Sequence, residues 1–388
     1  MANALIAFIN HRRTREVAAQ AAVLLALLAV VGFFVENARE NLLKGGIASG
    51  FDFLWSTSGL DLPFKLIEYG PQSSYARMLL VGVLNTGLVS VLGIVFATLL
   101  GFAIGVARLS RNWLLKSLAG GYIEFVRNIP LLLFVFFWYF GVIRALPAMR
   151  DGFNLADLIF LNNRGLYVPA PSAPLAFFWV GAALALGVVA FLALRRWAAD
   201  RQARTGKPFP FVSAAIGLIV AGPALTALAV TLSIDWMRPT PGGFNVVGGV
   251  VLIPEFIALL AALVTYTAGF IAEIVRAGIQ AVPAGQTQAA ASLGLREGLA
   301  LRLVVLPQAM RVIVPPLTNQ YLNLAKNSSF AAAIAYPDIV SVFVGSVLNQ
   351  TGQAVEIIAL TLAIYLSISL AVSALMNWYN RRIALVTK

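Results

Sequence analysis

The stretch GQTQAAASLGLREGLALRLVVLPQ, residues 285–308, sets Gln, Thr, Ser, Glu and Arg among neighbours that are Leu, Val and Phe. Pro283 and Gly285 stop whatever precedes it, and Gln286 to Leu293 is long enough for about two helical turns. Gly294 stands where a helix commonly ends in a left-handed residue. A second short helix, from Arg296 to Leu306, follows, and Pro307 closes it. Ala289 with Leu293, and Leu299 with Leu303, offer small apolar faces at i, i+4 spacing, edged by Gln288, Arg296, Glu297 and Arg302. The passage is too short and too polar to span a bilayer. It suits docking into a groove on a soluble partner, and a plain re-entrant or interfacial helix is the alternative.

The surrounding chain sets the context. Of its 388 residues 60% are hydrophobic and 11% charged, against about 45–50% and about 25% in an ordinary soluble domain. That is the composition of a polytopic membrane protein. The formal charge of +12 lies in short clusters beside apolar runs, so it reads as a topology signal rather than a nucleic-acid surface. There is no cysteine, and the only histidine is His11. Thiol chemistry, Cys/His zinc sites and a Ser-His-Asp triad are therefore excluded. A carboxylate-only metal site or a Ser/Lys pair stays formally open, but the 16 acidic residues show no clustered spacing. The basic stretch His11-Arg12-Arg13-Thr14-Arg15 precedes an apolar run from Val17 to Val35. That run is long for a signal-peptide core and lacks an A-x-A site, so it reads as a retained first helix.

Spanning helices need about 20 apolar residues each. Eight segments qualify: 17–35, 78–107, 117–143, 174–194, 210–232, 255–275, 309–335 and 355–379. With the N-terminus in the cytoplasm, the inside segments together with Arg311 hold 18 of the 28 Lys and Arg residues, as the positive-inside rule asks. The loop Arg195–Lys207 is the strongest vote. Both termini and the 285–308 stretch then face the cytoplasm. No internal repeat is visible, which weakens an inverted-repeat secondary transporter. The outer segment 36–76, with Gly45-Gly46, Phe51, Phe53 and Trp55, reads as an ordered or interfacial connection.

Three constellations stand out. Ala97, Gly101 and Gly105 form a small-xxx-small pattern, which serves helix packing within the chain or a dimer interface. Glu124 and Arg127 are spaced to pair on one helix face as a structural ion pair, and Pro130 would kink that helix or mark a start. Lys326, in Asn323-Leu324-Ala325-Lys326-Asn327-Ser328-Ser329, is an ionisable group at membrane depth and so a functional candidate. It could instead pair with a neighbour such as Glu124, or snorkel to an interface if the helix breaks there. For a translocation pathway the candidates are Asn323, Lys326, Asn327 and Ser328.

The 285–308 stretch resembles the EAA loop of permease subunits of binding-protein-dependent ABC importers, whose pattern is E-A-A, three residues, Gly, nine residues, then I-x-L-P. Here Gln288-Ala289-Ala290, Gly294 and Val304-Val305-Leu306-Pro307 keep the spacing. Gln288 removes a charge that could pair with a basic partner residue. Glu124-Phe125-Val126-Arg127-Asn128-Ile129-Pro130-Leu131-Leu132, Glu273-Ile274-Val275-Arg276-Ala277-Gly278-Ile279 and Lys326-Asn327-Ser328-Ser329 through Tyr336-Pro337-Asp338 extend the likeness to the polar-amino-acid (histidine/glutamine-type) branch. It covers about 78–143 and 251–380, the permease core. The insertion 144–250, with two extra helices, resembles the longer permease subunit of general L-amino-acid importers.

That resemblance implies an all-α integral membrane protein, a type I (MetI-like) importer core forming a single transmembrane domain with a cytoplasmic coupling helix. It is a non-catalytic subunit in the bacterial inner membrane. Gln288, Ala289, Ala290, Gly294, Leu306, Pro307 and Arg276 would couple it to the ATPase. No phosphate loop is present, so ATP and Mg would reside on a partner ATPase dimer and this chain would bind no cofactor. A second permease subunit, a periplasmic amino-acid-binding protein, the L-amino-acid cargo and the bilayer are the implied partners; nucleic acid is not. The competing readings are a stand-alone gradient-driven transporter or channel and, with little support, a membrane-embedded enzyme.

Overall fold

The computed structural model describes residues 12–44, 49–206, 209, 214, 216–242 and 246–383. His11, Gly45-Gly46 and Lys207, singled out above, lie outside them. Two compact units form: residues 1–128 with 263–388, and residues 129–262.

The first unit holds α1 (Arg12–Lys44) and α2 (Tyr75–Arg108), with residues 49–74 folded ahead of α2. Phe53, on a single 3-10 turn, is buried with Leu62 and Tyr69 against Tyr75, Met78, Val81 and Phe343. Ser58 and Tyr69 share a hydrogen bond of 2.6 Å, and the Tyr69 hydroxyl donates onward to the Leu60 carbonyl. The segment is thus a folded connection, with Phe51 and Trp55 left exposed. Ser74 caps α2 by accepting the Arg77 N–H.

Helix α3 (Trp113–Arg127) stops at Asn128-Ile129-Pro130, and Leu131–Phe136 (α4) starts afresh with Pro130 in extended conformation as its N-cap. The expected continuous helix 117–143 is therefore a broken one. Proline supplies no N–H and disfavours helical backbone just before it, and the Asn128 side chain takes the Glu124 carbonyl at 2.7 Å, finishing the last turn of α3.

In the second unit, α4 continues as a π-turn to Ile143, and Tyr139 donates to Glu255 at 2.7 Å. The insertion holds more than two helices. Strands β1 (Phe153–Leu155), β2 (Ile159–Asn162), β3 (Gly165–Val168), β4 (Ala170–Pro171), β5 (Trp236–Met237), β6 (Thr240–Pro241), β7 (Val246–Val247) and β8 (Val250–Leu252) build one four-stranded sheet, ordered β1-β2-β3-β8, and two two-stranded pairs. Phe160, Tyr167 and Val246 form its small core. Between β4 and β5 run α5 (Phe178–Thr205) and α6 (Gly222–Ser233).

Helix α7 (Pro254–Gln280) leads back into the first unit, followed by α8 (Ala284–Ser292), α9 (Glu297–Ala300), α10 (Leu306–Asn327) and, after a 3-10 stretch and a π-turn, α11 (Ala354–Ile383). All eight expected spanning segments carry helix. Among the described residues five helices are long and apolar enough to cross a membrane, up to six counting the broken pair as one, with shorter apolar helices at Ala18–Phe34 and Gly217–Ser233.

Helices in lipid gain little from hydrophobicity against one another, so close approach decides their packing. A Cβ on Gly101 would stand 2.6 Å from Ile271, and one on Gly105 would stand 2.7 Å from the Ala272 carbonyl. The small stripe Ala97-Gly101-Gly105 is thus consumed inside the chain, by α2 against α7. The dimer-interface reading of it fails because the face is already covered.

Candidate functional site

The 285–308 stretch folds as a hairpin of short helices. Pro283 opens α8; at its end the N–H groups of Leu293 and Gly294 return to Ala289 and Ala291, and Leu295 donates to Ala290. Gly294 has φ +74°, the left-handed value the sequence predicts. Only Ala290 and Ala300 are buried in α8 and α9. Gln288 and Ala289 are exposed, Leu293 is 81% exposed and Leu303 60%. The two apolar i, i+4 faces therefore point away from this chain.

Pro307 does not close the second helix. α9 runs through a π-turn at Leu301–Val305 straight into α10, where Pro307 occupies the first turn. Proline brings no N–H to the ladder, and the π-turn immediately before it is where the ladder is already widened. The Leu306 N–H reaches back five residues to the Leu301 carbonyl, which carries the helix across. Gln308 on α10 donates to Gln286 on α8 at 3.2 Å, closing the hairpin. Arg276 is held by Glu273 in a two-pronged ion pair, 2.5 and 3.0 Å, and by Gln280 at 2.7 Å. Arg111 reaches Glu297 at 2.8 Å, but both side chains are more than four-fifths exposed, so that contact contributes little.

Glu124 and Arg127 form no ion pair among the described residues. Both are exposed at the end of α3, where an i, i+3 pair gains too little to fix two long side chains. Lys326 is not paired with Glu124 or any other carboxylate there either. It is exposed, at the penultimate position of α10, just before the helix tightens into the 3-10 stretch Ser328–Ile334.

Lys326 lines a cleft of about 470 Å³ with Ser329, Val340, Thr361, Leu362, Tyr365, Leu366 and Ser369. Asn323 is exposed one turn before it, and Asn327 is half-buried beside it. Ser328 is placed differently from the expectation for a pathway residue. It is fully buried, and its hydroxyl donates to the Ala325 carbonyl at 2.7 Å. The 3-10 stretch rotates Ser329, not Ser328, to the cleft.

Behind the cleft lies a polar junction that reading along the sequence missed. Asp338 is fully buried; its carboxylate accepts the Ser341 N–H at 2.8 Å and the Tyr365 hydroxyl at 3.2 Å. Asn85, also fully buried, donates to the carbonyls of Phe64 and Pro337, while Tyr336 donates to the Asn85 carbonyl and Thr86 accepts the Ile339 N–H. Asn85 and Thr86 sit singly in a long apolar helix and carry no motif. The signal that was available is Tyr365, repeated as polar positions four apart along α11.

Comparison with known proteins agrees with these features. Residues 93–385 match the family described as binding-protein-dependent transport system inner membrane component. The chain is 51% identical to the putative amino-acid ABC transporter permease protein YhdX of Escherichia coli strain K12, over 95% of this chain and 94% of that one. It is 49% identical to the general L-amino acid transport system permease protein AapQ of Rhizobium johnstonii, over 94% and 92%. A crystal structure of an amino acid ABC transporter with histidines aligns to 79% of this chain and 95% of its own, with a TM-score of 0.47 and 21% identity. This chain therefore belongs to the family of inner-membrane permease components of binding-protein-dependent transport systems, and within it resembles the permeases of general L-amino-acid importers.

Proposed function

We propose that this chain is a non-catalytic permease subunit that passes L-amino acids across the inner membrane, driven by ATP hydrolysis on separate subunits. What carries the reading is the exposed hairpin 285–308. Its apolar faces are turned outward and its left-handed Gly294 falls at the spacing of a coupling loop. Gln288, Ala289 and Gly294 form the contact surface, Ala290 anchors it, Leu306 and Pro307 join it to α10, and Arg276 frames its base. An ATPase dimer closing on ATP and Mg would move the hairpin as a rigid body and switch the bundle between inward and outward access. The chain itself binds no cofactor. A second permease subunit completes the pore and a periplasmic binding protein delivers the amino acid, with both termini of this chain in the cytoplasm. Lys326, with Asn323 and Asn327 nearby, lines the path and offers a cation to the cargo carboxylate.

Lys326, which has no carboxylate partner among the described residues, is the observation that favours the alternative, a gradient-driven carrier. One experiment separates the two. Proteoliposomes holding the chain with its candidate ATPase, second permease and binding protein are expected to take up L-amino acids only with ATP inside. Uptake by the chain alone under an ion or proton gradient would overturn the importer reading.

A further inference from the structure

Helix α11 carries Thr361, Tyr365, Ser369, Ser373 and Asn377, each four residues after the last. Successive members are neighbours on the helix surface, and the row, turning about 40° at each step, winds about 160° round the helix over about 24 Å of its length. Its first three members line the Lys326 cleft. Leu362 and Leu366 line that cleft too, whereas Leu370 and Leu375 lie outside it, 61 and 63% exposed, as apolar lipid-type surface.

Serine and threonine in spanning helices often do no more than return their hydroxyl to the carbonyl four residues back. Thr361 does so to Ile357, and Ser367, off the stripe, does so to Ala363. Ser369 does not: among the described residues its hydroxyl has no protein partner. Ser373 is met only by the Asn377 amide, at 3.4 Å. Half-buried hydroxyls without protein partners in lipid are costly unless water or a solute meets them. The stripe descends from the cleft towards the helix end marked by Arg381 and Arg382, the end that the basic residues place in the cytoplasm.

We propose that this winding row on α11 is a hydrated track by which the cargo leaves the Lys326 cleft towards the cytoplasm. The track rests on the reading that this chain carries cargo. Lys326 holds the carboxylate at the upper end, and the two small serines leave room for a side chain to pass. Asn377 receives the solute at the exit.

The chain has no cysteine, so single cysteines report cleanly. In the reconstituted complex, Ser369→Cys, Ser373→Cys and Asn377→Cys are expected to react with a charged, membrane-impermeant methanethiosulfonate at least about tenfold faster than Leu370→Cys and Leu375→Cys, because a thiol held in lipid stays protonated and unreactive. Mass analysis of this chain reads the labelling whether or not uptake is driven. Equal labelling of the two sets of cysteines overturns the track. Stripe cysteines shielded in the complex but labelled in the chain alone overturn it too, assigning the face to packing against another subunit. In the same vesicles Ser369→Trp is expected to stop uptake while Leu375→Trp keeps it; transport by Ser369→Trp at the wild-type rate sinks the proposal. Wild-type uptake, measured alongside, reports on the importer reading independently.

Discussion

Gly294 offers the sharpest test of the hairpin, because its two possible contributions can be separated. A Cβ there would meet nothing within 4 Å, so bulk is tolerated, whereas φ is +74°. Any effect of substitution therefore comes from backbone conformation. For most L-residues the left-handed region costs about 1–2 kcal/mol, and Asn visits it more readily. That cost depletes the native turn about 5- to 30-fold. It falls on the hairpin alone, since Ala290 and Ala300 are the only residues that α8 and α9 bury. ATPase retained on the tagged chain in mild detergent, and ATP-driven uptake, should fall in the order Gly, Asn, Ala, Val, with Val worst because a β-branched side chain is a true outlier there. The chain's thermal unfolding should not move. Wild-type retention by Gly294→Val, or equal loss from Asn and Val, would show that the left-handed turn plays no part in docking.

Lys326→Met should reduce uptake strongly while the complex still assembles; transport at the normal rate removes Lys326 from the path. Gly101→Leu should destabilise the bundle by about 1–3 kcal/mol or more through overpacking against Ile271, seen as a lower unfolding temperature in detergent, whereas an unchanged melt would show that α2 and α7 are not so closely seated. Asn85→Leu strips donors from two buried carbonyls and should cost about 1–3 kcal/mol for each acceptor left bare. A melt no lower than wild type would mean that water replaces the amide.

The helices were legible because the expected segments are apolar runs, and the 285–308 hairpin because Pro283 and Gly294 punctuate it. What Pro307 does was misread. A proline at a helix start and one after a helix end look alike in sequence, and the π-turn that makes it a start depends on hydrogen bonds that no residue type announces. The sheet in the insertion was missed because its strands are two to four residues long, too short for a period of two to emerge. Glu124 and Arg127 had the right spacing, but spacing does not reveal that both point into open surroundings. Ser328 and Ser329 exchanged roles because the helix tightens between Lys326 and Ile334, rotating the side chains away from their α-helical directions. Asn85 is bonded to Tyr336 and Pro337, next to Asp338, across about 250 residues of sequence, a link that only tertiary structure supplies.

The π-turn at Leu301–Val305 also bears on how this region tolerates changes of length. A hydrogen bond reaching back five residues encloses one residue more than the ordinary helical bond. Losing one residue from the turn would tighten it to a regular helix, and α10 would keep both its direction and the face it shows to α11. A deletion elsewhere in α10 would rotate Lys326 and the seam beyond it by about a hundred degrees. The turn is a slack link in an otherwise inextensible strut, the place where the distance from Gly294 to the spanning helix can drift between related chains without disturbing the bundle.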